Sequence, residues 1–401
     1  MNLLATGTPN LRRMPTDPAL ADELVATVRR WVAKEVIPNA SAFEHADEFP
    51  EAMVAQMRDF GLFGATIPEE YGGLDLDVLT YARLVEELAY GWMSLSGVLN
   101  THTIVANLIK RFGTDEQRAQ WLPDMATGEV RGAFSLSEPD AGSDAQALAC
   151  KATPDGDEYV VNGTKMWVTN GERAKVVALV AKAPEGITCF IIGKEPGPRF
   201  EGISVSRRID KLGYKGLETV EMAYDGHRIG ADTVLGGADN LGKGMHQVLS
   251  SLELGRINIA ARAVGVARAA FDAALAYAQQ RETFGVPIAK HQAIQFKLAD
   301  MATKLQASKL LVQSAAEKFE AGGRADVEAG MAKLFCSESA LEIATECMRI
   351  HGGMGYTAEL PVERYYRDAP LMIIGEGTNE IQRVVIARGL LRRAEAGEPV
   401  L

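Results

Sequence analysis

The chain has 401 residues, 47% hydrophobic and 24% charged, enough for a sizeable core and two or three domains. Its formal net charge of −11 argues against broad nucleic-acid binding, which needs a basic footprint, but leaves room for a local Arg/Lys pocket that meets an anionic substrate. No apolar run is long enough to span a bilayer, so neither nucleic acid nor membrane is an expected partner.

Residues 1–16 read as a short, poorly ordered arm, because Met1 to Pro15 lacks the apolar core and cleavage site of a secretory signal. Residues 17–130 read as an N-terminal helical domain. Leu24, Val28, Trp31, Val32 and Val36 recur at helical spacing, and Pro38 is expected to end that helix. Thr114 with Gln117 three residues on has the pattern of a capping box.

Residues 131–238 turn to short strands and read as a middle β sandwich or barrel. The β-rich runs Glu158-Tyr-Val-Val and Lys165-Met-Trp-Val-Thr are each followed by Asn-Gly, at Asn162-Gly163 and Asn170-Gly171, read here as turns. Asp155-Gly156 is a further hairpin signal.

Residues 239–396 read as a C-terminal four-helix bundle. Ile257, Ala260, Val264, Ala267, Phe271, Ala274 and Ala278 form one stripe, rich in alanine and so suited to close helix approach. Ile294, Leu298, Met301, Leu305, Ser308, Val312, Ala315 and Phe319 alternate spacings of four and three, the seam of an antiparallel bundle. Met331 to Met348 gives a third helix, closed by His351-Gly352-Gly353, and Ile381 to Leu391 a fourth. Members of these stripes are core residues first. The fold class is therefore mostly α with a central β domain.

The four cysteines form no CxxC pair, and Cys336 and Cys347 would lie roughly 16 Å apart along one helix, too far to bond. Reduced thiols and a cytoplasmic location fit this usage. The histidines show no HExxH-type spacing, so no metal is expected.

Several segments carry chemistry. Phe134-Ser-Leu-Ser-Glu-Pro-Asp-Ala-Gly-Ser-Asp144 is a loop rich in small hydroxyl residues, and Gly142-Ser143 could offer N–H groups and a hydroxyl to phosphate or a polar ring edge; taken alone it reads first as a polar turn between strands. Trp167 and Thr169 lie two apart on one strand and so share a face, where an indole and a hydroxyl suit a flat heteroaromatic ring; alone, they are also ordinary strand residues. Arg281 ends a long helix, where it complements the dipole or clamps a diphosphate, with Gln292 close behind. Arg349-Ile-His-Gly352-Gly353 offers backbone that a nucleotide can approach. Ile374-Gly-Glu-Gly-Thr-Asn-Glu380 sets one carboxylate, Glu376, between two glycines, with Thr378 or Asn379 as the cap of the next helix.

In this order, SLSEPDAGSD, NGTKMWVTNG, RETFG with HQ behind it, HGGMGY, PVERYYRDA and GEGTNEIQR make the chain resemble the acyl-CoA dehydrogenases, from about residue 20 to 395. No Rossmann GxGxxG competes, since Gly236-Gly237 and Gly242-Lys-Gly244 do not follow a βαβ pattern. The resemblance implies FAD as cofactor, an acyl-CoA thioester as substrate, an electron-transfer flavoprotein or similar carrier as acceptor, and a homotetramer in which two subunits touch each flavin. It implies that Phe134, Leu136, Ser137, Trp167 and Thr169 line the isoalloxazine, with Thr169 near N5. Arg281, Phe284 and Gln292 would reach the FAD of a neighbouring subunit, Gly352 and Gly353 its adenosine half, and Thr378 and Glu380 the cofactor beside the base. Ser143, Glu253 and Arg256 match positions that hold CoA, and Ser143 also falls in the cofactor set.

Glu376 falls on the family's base. It would take the α-proton while flavin N5 accepts a hydride from the β-carbon, giving a trans-2-enoyl-CoA. Relatives that carry the base immediately before the arginine matching Arg256 find a counterpart in Gly255 here, which cannot act. Two departures stand out. Arg349 occupies a position where a glutamine that contacts FAD is common, and Gly375 replaces a tyrosine, which points to a branched, bulky or short functionalised acyl group. Glutaryl-type relatives carry an arginine for the distal carboxylate after a tyrosine near Tyr90; Gly91 stands there, which disfavours a dicarboxylic substrate. Two alternatives share the scaffold: an acyl-CoA oxidase reoxidised by oxygen, and a non-catalytic flavin-binding protein.

Overall fold

In a computed structural model of the protein, residues 15–400 are described. The arm expected over 1–16 therefore lies outside the described residues, except for Pro15 and Thr16. Thr16 is tied down: its N–H donates to Asp77 Oδ2 at 2.7 Å, and its hydroxyl accepts from Asp77 N at 2.9 Å.

The first helix, α1 (Pro18–Trp31), starts at Asp17, whose carboxylate accepts from Ala19 and Leu20 N–H. Pro38 does not end the run. A π-helical segment, Val32–Val36, carries the chain into α2 (Ile37–Ala46), where Pro38 sits in the first turn. The π turn, in which Ile37 N–H reaches back five residues to Val32 O, carries the helical run past the proline's missing donor. Next come α3 (Glu51–Asp59), α4 (Val78–Gly91), α5 (Met93–Phe112) and α6 (Asp115–Thr127), the last opened by the expected capping box, with Gln117 N–H donating to Thr114 Oγ1 at 3.2 Å. Helix α5 is buried on every side from Met93 to Ile109. Its Ser94, Asn100, His102 and Asn107 must therefore find partners inside the protein. They do so from distant segments, through Lys215 O, Glu376, Phe63 O and Ser251.

The strands are β1 (Gly132–Ser135), β2 (Lys151–Asp155), β3 (Glu158–Thr169), β4 (Val176–Ala183), β5 (Gly186–Gly193), β6 (Arg199–Phe200), β7 (Ile203–Arg208) and β8 (Thr219–Gly230). They form one sheet in the order β1-β4-β2-β3-β8-β7-β6, with β5 on β4. Asp155-Gly156 makes the expected hairpin, pairing Asp155 with Glu158. Asn162-Gly163, by contrast, is no turn: β3 runs straight through it with a bulge against β8. A Cβ on Gly163 would lie 2.7 Å from Cys150 Cα, so the glycine serves a close strand approach. A second irregularity, between Lys165 and Val168, puts Trp167 at φ +62.

The long helix α7 (Gly244–Gln280) is followed by a small hairpin of β9 (Glu282–Thr283) and β10 (Val286–Pro287), then α8 (Gln292–Glu320), α9 (Asp326–His351), α10 (Val362–Ile374) and α11 (Asn379–Ala396). Both stripes pack as the periodicity predicts: Ile257, Ala260, Val264, Ala267, Ala274 and Ala278 are buried, as are Met301, Leu305, Ser308, Val312 and Ala315. Helix approach is close where glycine replaces alanine; a Cβ on Gly265 would meet Glu86 O of α4 at 2.4 Å. The helix α10 is additional to the four read from periodicity. Pro370 inside it disguises it, and it packs between α7 and α9 with Val362, Ala369 and Met372 buried.

Candidate active site

Glu376 sits on the short loop between α10 and α11. Its backbone is left-handed at φ +56, and Gly377 follows at φ +86. For a non-glycine residue such a conformation costs of order 1–3 kcal/mol and persists only where its surroundings fix it. Two buried side chains do so. Lys333 Nζ of α9 donates to Ile373 O at 2.9 Å, Gly377 O at 3.0 Å and Asn379 Oδ1 at 2.7 Å, straddling the loop. Gln382 Nε2 donates to Glu376 O at 3.2 Å and Gly377 O at 3.1 Å. Thr378 is the N-cap of α11, accepting from Ile381 N–H at 3.4 Å, and Glu380 is exposed in the first turn.

The Glu376 carboxylate points inward, against α5 and α7. Asn100 Nδ2 donates to Oε1, while Oε2 is buried and has no hydrogen-bond partner among the described residues. Opposite Oε2 stands Gly255: a Cβ there would lie 2.0 Å from that oxygen. Glycine at 255 is thus what makes room for the carboxylate. Burial pushes the Glu376 carboxyl above the usual carboxylate range, against the pull of Asn100, Arg262, Arg256 and Lys333. The same burial brings Lys333 down to about 8. Glu253 and Arg256 lie on the same stretch of α7, both buried; Glu253 Oε2 accepts from Ala325 N–H at 3.3 Å, and Arg256 Nε lacks a partner among the described residues. Ser143 is exposed on the loop after β1.

A second group adjoins this one. Phe134, Leu136 and Ser137 lie half-buried along β1 and the loop after it. That loop is bolted to β3: Met166 N–H donates to Ser137 O at 2.8 Å, and the buried Lys165 Nζ donates to Leu136 O at 2.8 Å and to Glu138 Oε1 at 2.7 Å. Trp167 is 56% exposed, Val168 after it is buried, and Thr169 is half-buried with Oγ1 3.3 Å from Thr219 Oγ1. The bulge means that strand alternation alone does not set the shared face of Trp167 and Thr169; the burial pattern does. Asn170 closes the strand, its Nδ2 donating to Val98 O of α5 at 3.1 Å, two residues before the Asn100 that meets Glu376. The end of β3 that carries Trp167 and the loop that carries Glu376 therefore both reach one stretch of α5.

The remaining residues gather elsewhere. Arg281 lies 26 residues beyond Gly255 on one helix, about 39 Å along its axis. Tyr277 stacks on His351 with ring centroids 4.2 Å apart, which brings Arg281, Gly352 and Gly353 to one end of the bundle. Phe284, 97% exposed at the tip of the β9–β10 hairpin, stands 6.0 Å from His291, next to Gln292. Arg349 is exposed one turn before Gly353 and pairs with Glu346. One chain thus presents two separate groups.

Sequence reasoning did not single out Asn100, Lys333, Gln382 or the Glu138–Lys165 pair. The pair lies inside two of the motifs and Gln382 inside a third; Asn100 and Lys333 sit on helices outside them and become visible only through their long-range partners. No metal was expected. Glu44, His45 and Glu363 do converge, but Arg367 pairs with both carboxylates. Among the described residues, no helix is long and apolar enough to cross a membrane.

Residues 20–129, 133–226 and 242–391 match the N-terminal, middle and C-terminal domain models of acyl-CoA dehydrogenase. The chain is 41% identical over 372 residues to the mitochondrial short-chain specific acyl-CoA dehydrogenase of Bos taurus, covering 91% of this chain and 89% of that one. Butyryl-CoA dehydrogenase from Megasphaera elsdenii superimposes with a TM-score of 0.89 at 35% identity, covering 94% of this chain and 100% of that one. A chain from a structure of the electron-transferring flavoprotein of Acidaminococcus fermentans gives 0.88 at 34% identity, with 98% and 100% covered. The chain belongs to the acyl-CoA dehydrogenase family of oxidoreductases.

Proposed function

We propose that the protein dehydrogenates an acyl-CoA thioester between Cα and Cβ, with Glu376 as the base. The observation that carries this is the Glu376 carboxylate, enclosed opposite Gly255 with one oxygen bound by Asn100 and the other without a partner among the described residues. A thioester α-proton is acidic for a C–H, yet water removes it too slowly to be useful. Glu376 Oε2 is the atom positioned to take it, and burial brings the carboxyl toward the operating pH, where a general base works best. Asn100 orients the carboxylate through Oε1, and the apolar neighbour Ile104 helps exclude water. Ser143, Glu253 and Arg256 would hold the CoA portion, Arg256 offering a buried donor, Nε, without a partner among the described residues.

The residues suit FAD. An indole left open on a strand bulge, beside the Thr169 hydroxyl and the half-buried edge of Phe134, Leu136 and Ser137, fits a flat ring with one polar edge. When bound, FAD supplies the hydride-accepting chemistry that the side chains lack. Arg281, Phe284, Gln292, Arg349, Gly352 and Gly353, about 39 Å down α7, are read as the half-site for a neighbouring subunit's FAD, which supports a homotetramer. Residues 17–130, 131–238 and 239–396 are read as three domains, with the base on the third meeting Asn100 of the first. The structural neighbour from an electron-transferring flavoprotein supports such a protein as electron acceptor.

The test is an absorption spectrum of the purified protein followed by anaerobic titration with acyl-CoA thioesters. A yellow protein bleached by a thioester is the expected result. A protein that cannot be loaded with FAD, or a bound flavin that no thioester bleaches, contradicts it.

A further inference from the structure

The face of α7 that meets Glu376 continues beyond it. Asn258 and Arg262 follow Gly255 by three and seven residues, the spacing that keeps side chains on one face. Arg262 therefore stands two turns, about 10 Å, further along the axis. The opposing wall is α5: Asn100 meets Glu376, Ile104 Cδ1 lies 3.1 Å from where a Gly255 Cβ would sit, and Thr103 follows. A polar chain closes this end. Arg262 Nη2 donates to Asn258 Oδ1 at 3.0 Å, Asn258 Nδ2 donates to Tyr81 Oη at 2.7 Å, and Tyr81 Oη donates to Thr103 Oγ1 at 3.2 Å. Tyr214 enters from the other side, with the Arg262 guanidinium 5.5 Å over its ring. It packs against Gly97, where a Cβ would lie 1.8 Å from its hydroxyl, and its N–H donates to Asp368.

Arg262 is only 1% exposed, its Nε has no hydrogen-bond partner, and it forms no ion pair among the described residues. Contrast Arg268, two turns on, whose guanidinium is claimed by Glu86 and Glu87. Arg262 attracts the buried Glu376 carboxylate without forming an ion pair with it, so its guanidinium stays costly to bury, and a saturated alkyl chain ending against it would leave that cost standing. An acyl group that brings its own carboxylate removes it, through the bidentate pairing for which a guanidinium is shaped.

We propose that Arg262, backed by Asn258 and Tyr81, holds the far end of a short acyl group that terminates in a carboxylate, so that the preferred substrate is an ω-carboxyacyl-CoA. This rests on the acyl-CoA dehydrogenation proposed above, and it reverses the expectation drawn from Gly91. That position has no room for a side chain: a Cβ on Gly91 would meet Val32 Cγ1 at 2.5 Å, and its carbonyl accepts from Arg364. The cation comes from the opposite helix instead.

The experiment uses the FAD-loaded enzyme and a matched pair of equal chain length, glutaryl-CoA and valeryl-CoA. Flavin bleaching gives kcat/KM, and calorimetric titration of a Glu376→Gln background gives Kd without turnover. The expected result is a preference for glutaryl-CoA of at least about 100-fold in both, lost in Arg262→Met and partly restored in Arg262→Lys. FAD content and circular dichroism check that the variants are folded; should they not fold, the wild-type preference alone decides. A wild-type preference for valeryl-CoA overturns the proposal. So does an Arg262→Met enzyme that shifts both thioesters equally, which would make Arg262 a partner of Glu376 and not of the substrate. If neither thioester binds or bleaches the flavin while other acyl-CoA thioesters do, the specificity proposal alone fails; if none does, dehydrogenation itself fails.

Discussion

At Glu376 a charge is held where solvent would not have put it. Its carboxyl is buried and lies above the ordinary carboxylate range, so the unfolded chain releases that proton at lower pH than the folded protein does. Stability contributed by the protonated form is present below the ordinary value of 4.5 and is lost as pH rises through the elevated folded value. Glu376→Gln, which cannot ionise, should therefore melt at the same temperature as the native protein or higher at neutral pH, and that advantage should shrink below pH 4.5; thermal melts at several pH values check this. The neighbouring glycine is the complementary case. Gly255→Ala places a methyl where Oε2 now sits, so the carboxylate must leave or α7 must shift. Overpacking of this kind costs about 1–3 kcal/mol. Because the methyl displaces the base itself, turnover should fall far more than the melting temperature does, with FAD retained; kinetics and flavin content measured on the same preparation decide.

At the scale of elements, the base is aimed by a loop that a different helix pins. Lys333 reaches from α9 to acceptors on both sides of Glu376, and Lys333→Met takes its donor from Ile373 O, while Gly377 O keeps Gln382 Nε2 and Asn379 Oδ1 keeps Ser337 Oγ. Each buried unsatisfied group costs about 1–3 kcal/mol. The variant should therefore unfold several degrees lower, and its kcat should fall while KM for the thioester changes little, since the residue does not line the CoA path; an unchanged kcat would make Lys333 a purely structural lysine. The sequence makes the elements legible where periodicity is unbroken, as in the α7 and α8 stripes and the Thr114 capping box. It misleads where one residue type serves two geometries. Pro38 stops a helix by rule but starts α2 after a π turn; Asn162-Gly163 has turn composition but spans a bulge; Pro370 hides α10. Site residues inside contiguous motifs, Glu376 and Trp167 among them, could be named from sequence. Asn100, Arg262 and Lys333 could not, because their roles depend on partners that only the tertiary fold brings close.

For the whole molecule, the separation along α7 is the decisive dimension. Residues about 39 Å apart on a rigid helix cannot serve one flavin within one chain. If the Arg281 end completes a neighbour's site, two crippled chains should rescue each other. Co-refolded Glu376→Gln and Arg281→Ala proteins should show activity that neither has alone, because some mixed sites then draw both halves from intact residues. Mixtures no more active than their components would mean that each chain builds its site alone. The account as a whole turns on the base. The most direct measurement is anaerobic single-turnover reduction of the FAD-loaded protein by an acyl-CoA, comparing native enzyme with Glu376→Gln across pH. The prediction is that the native rate rises with pH through an apparent pKa above the ordinary carboxylate value, and that the variant, with its flavin still bound, is slower by roughly 10²–10⁴-fold. A Glu376→Gln protein that bleaches at the native rate would contradict the assignment.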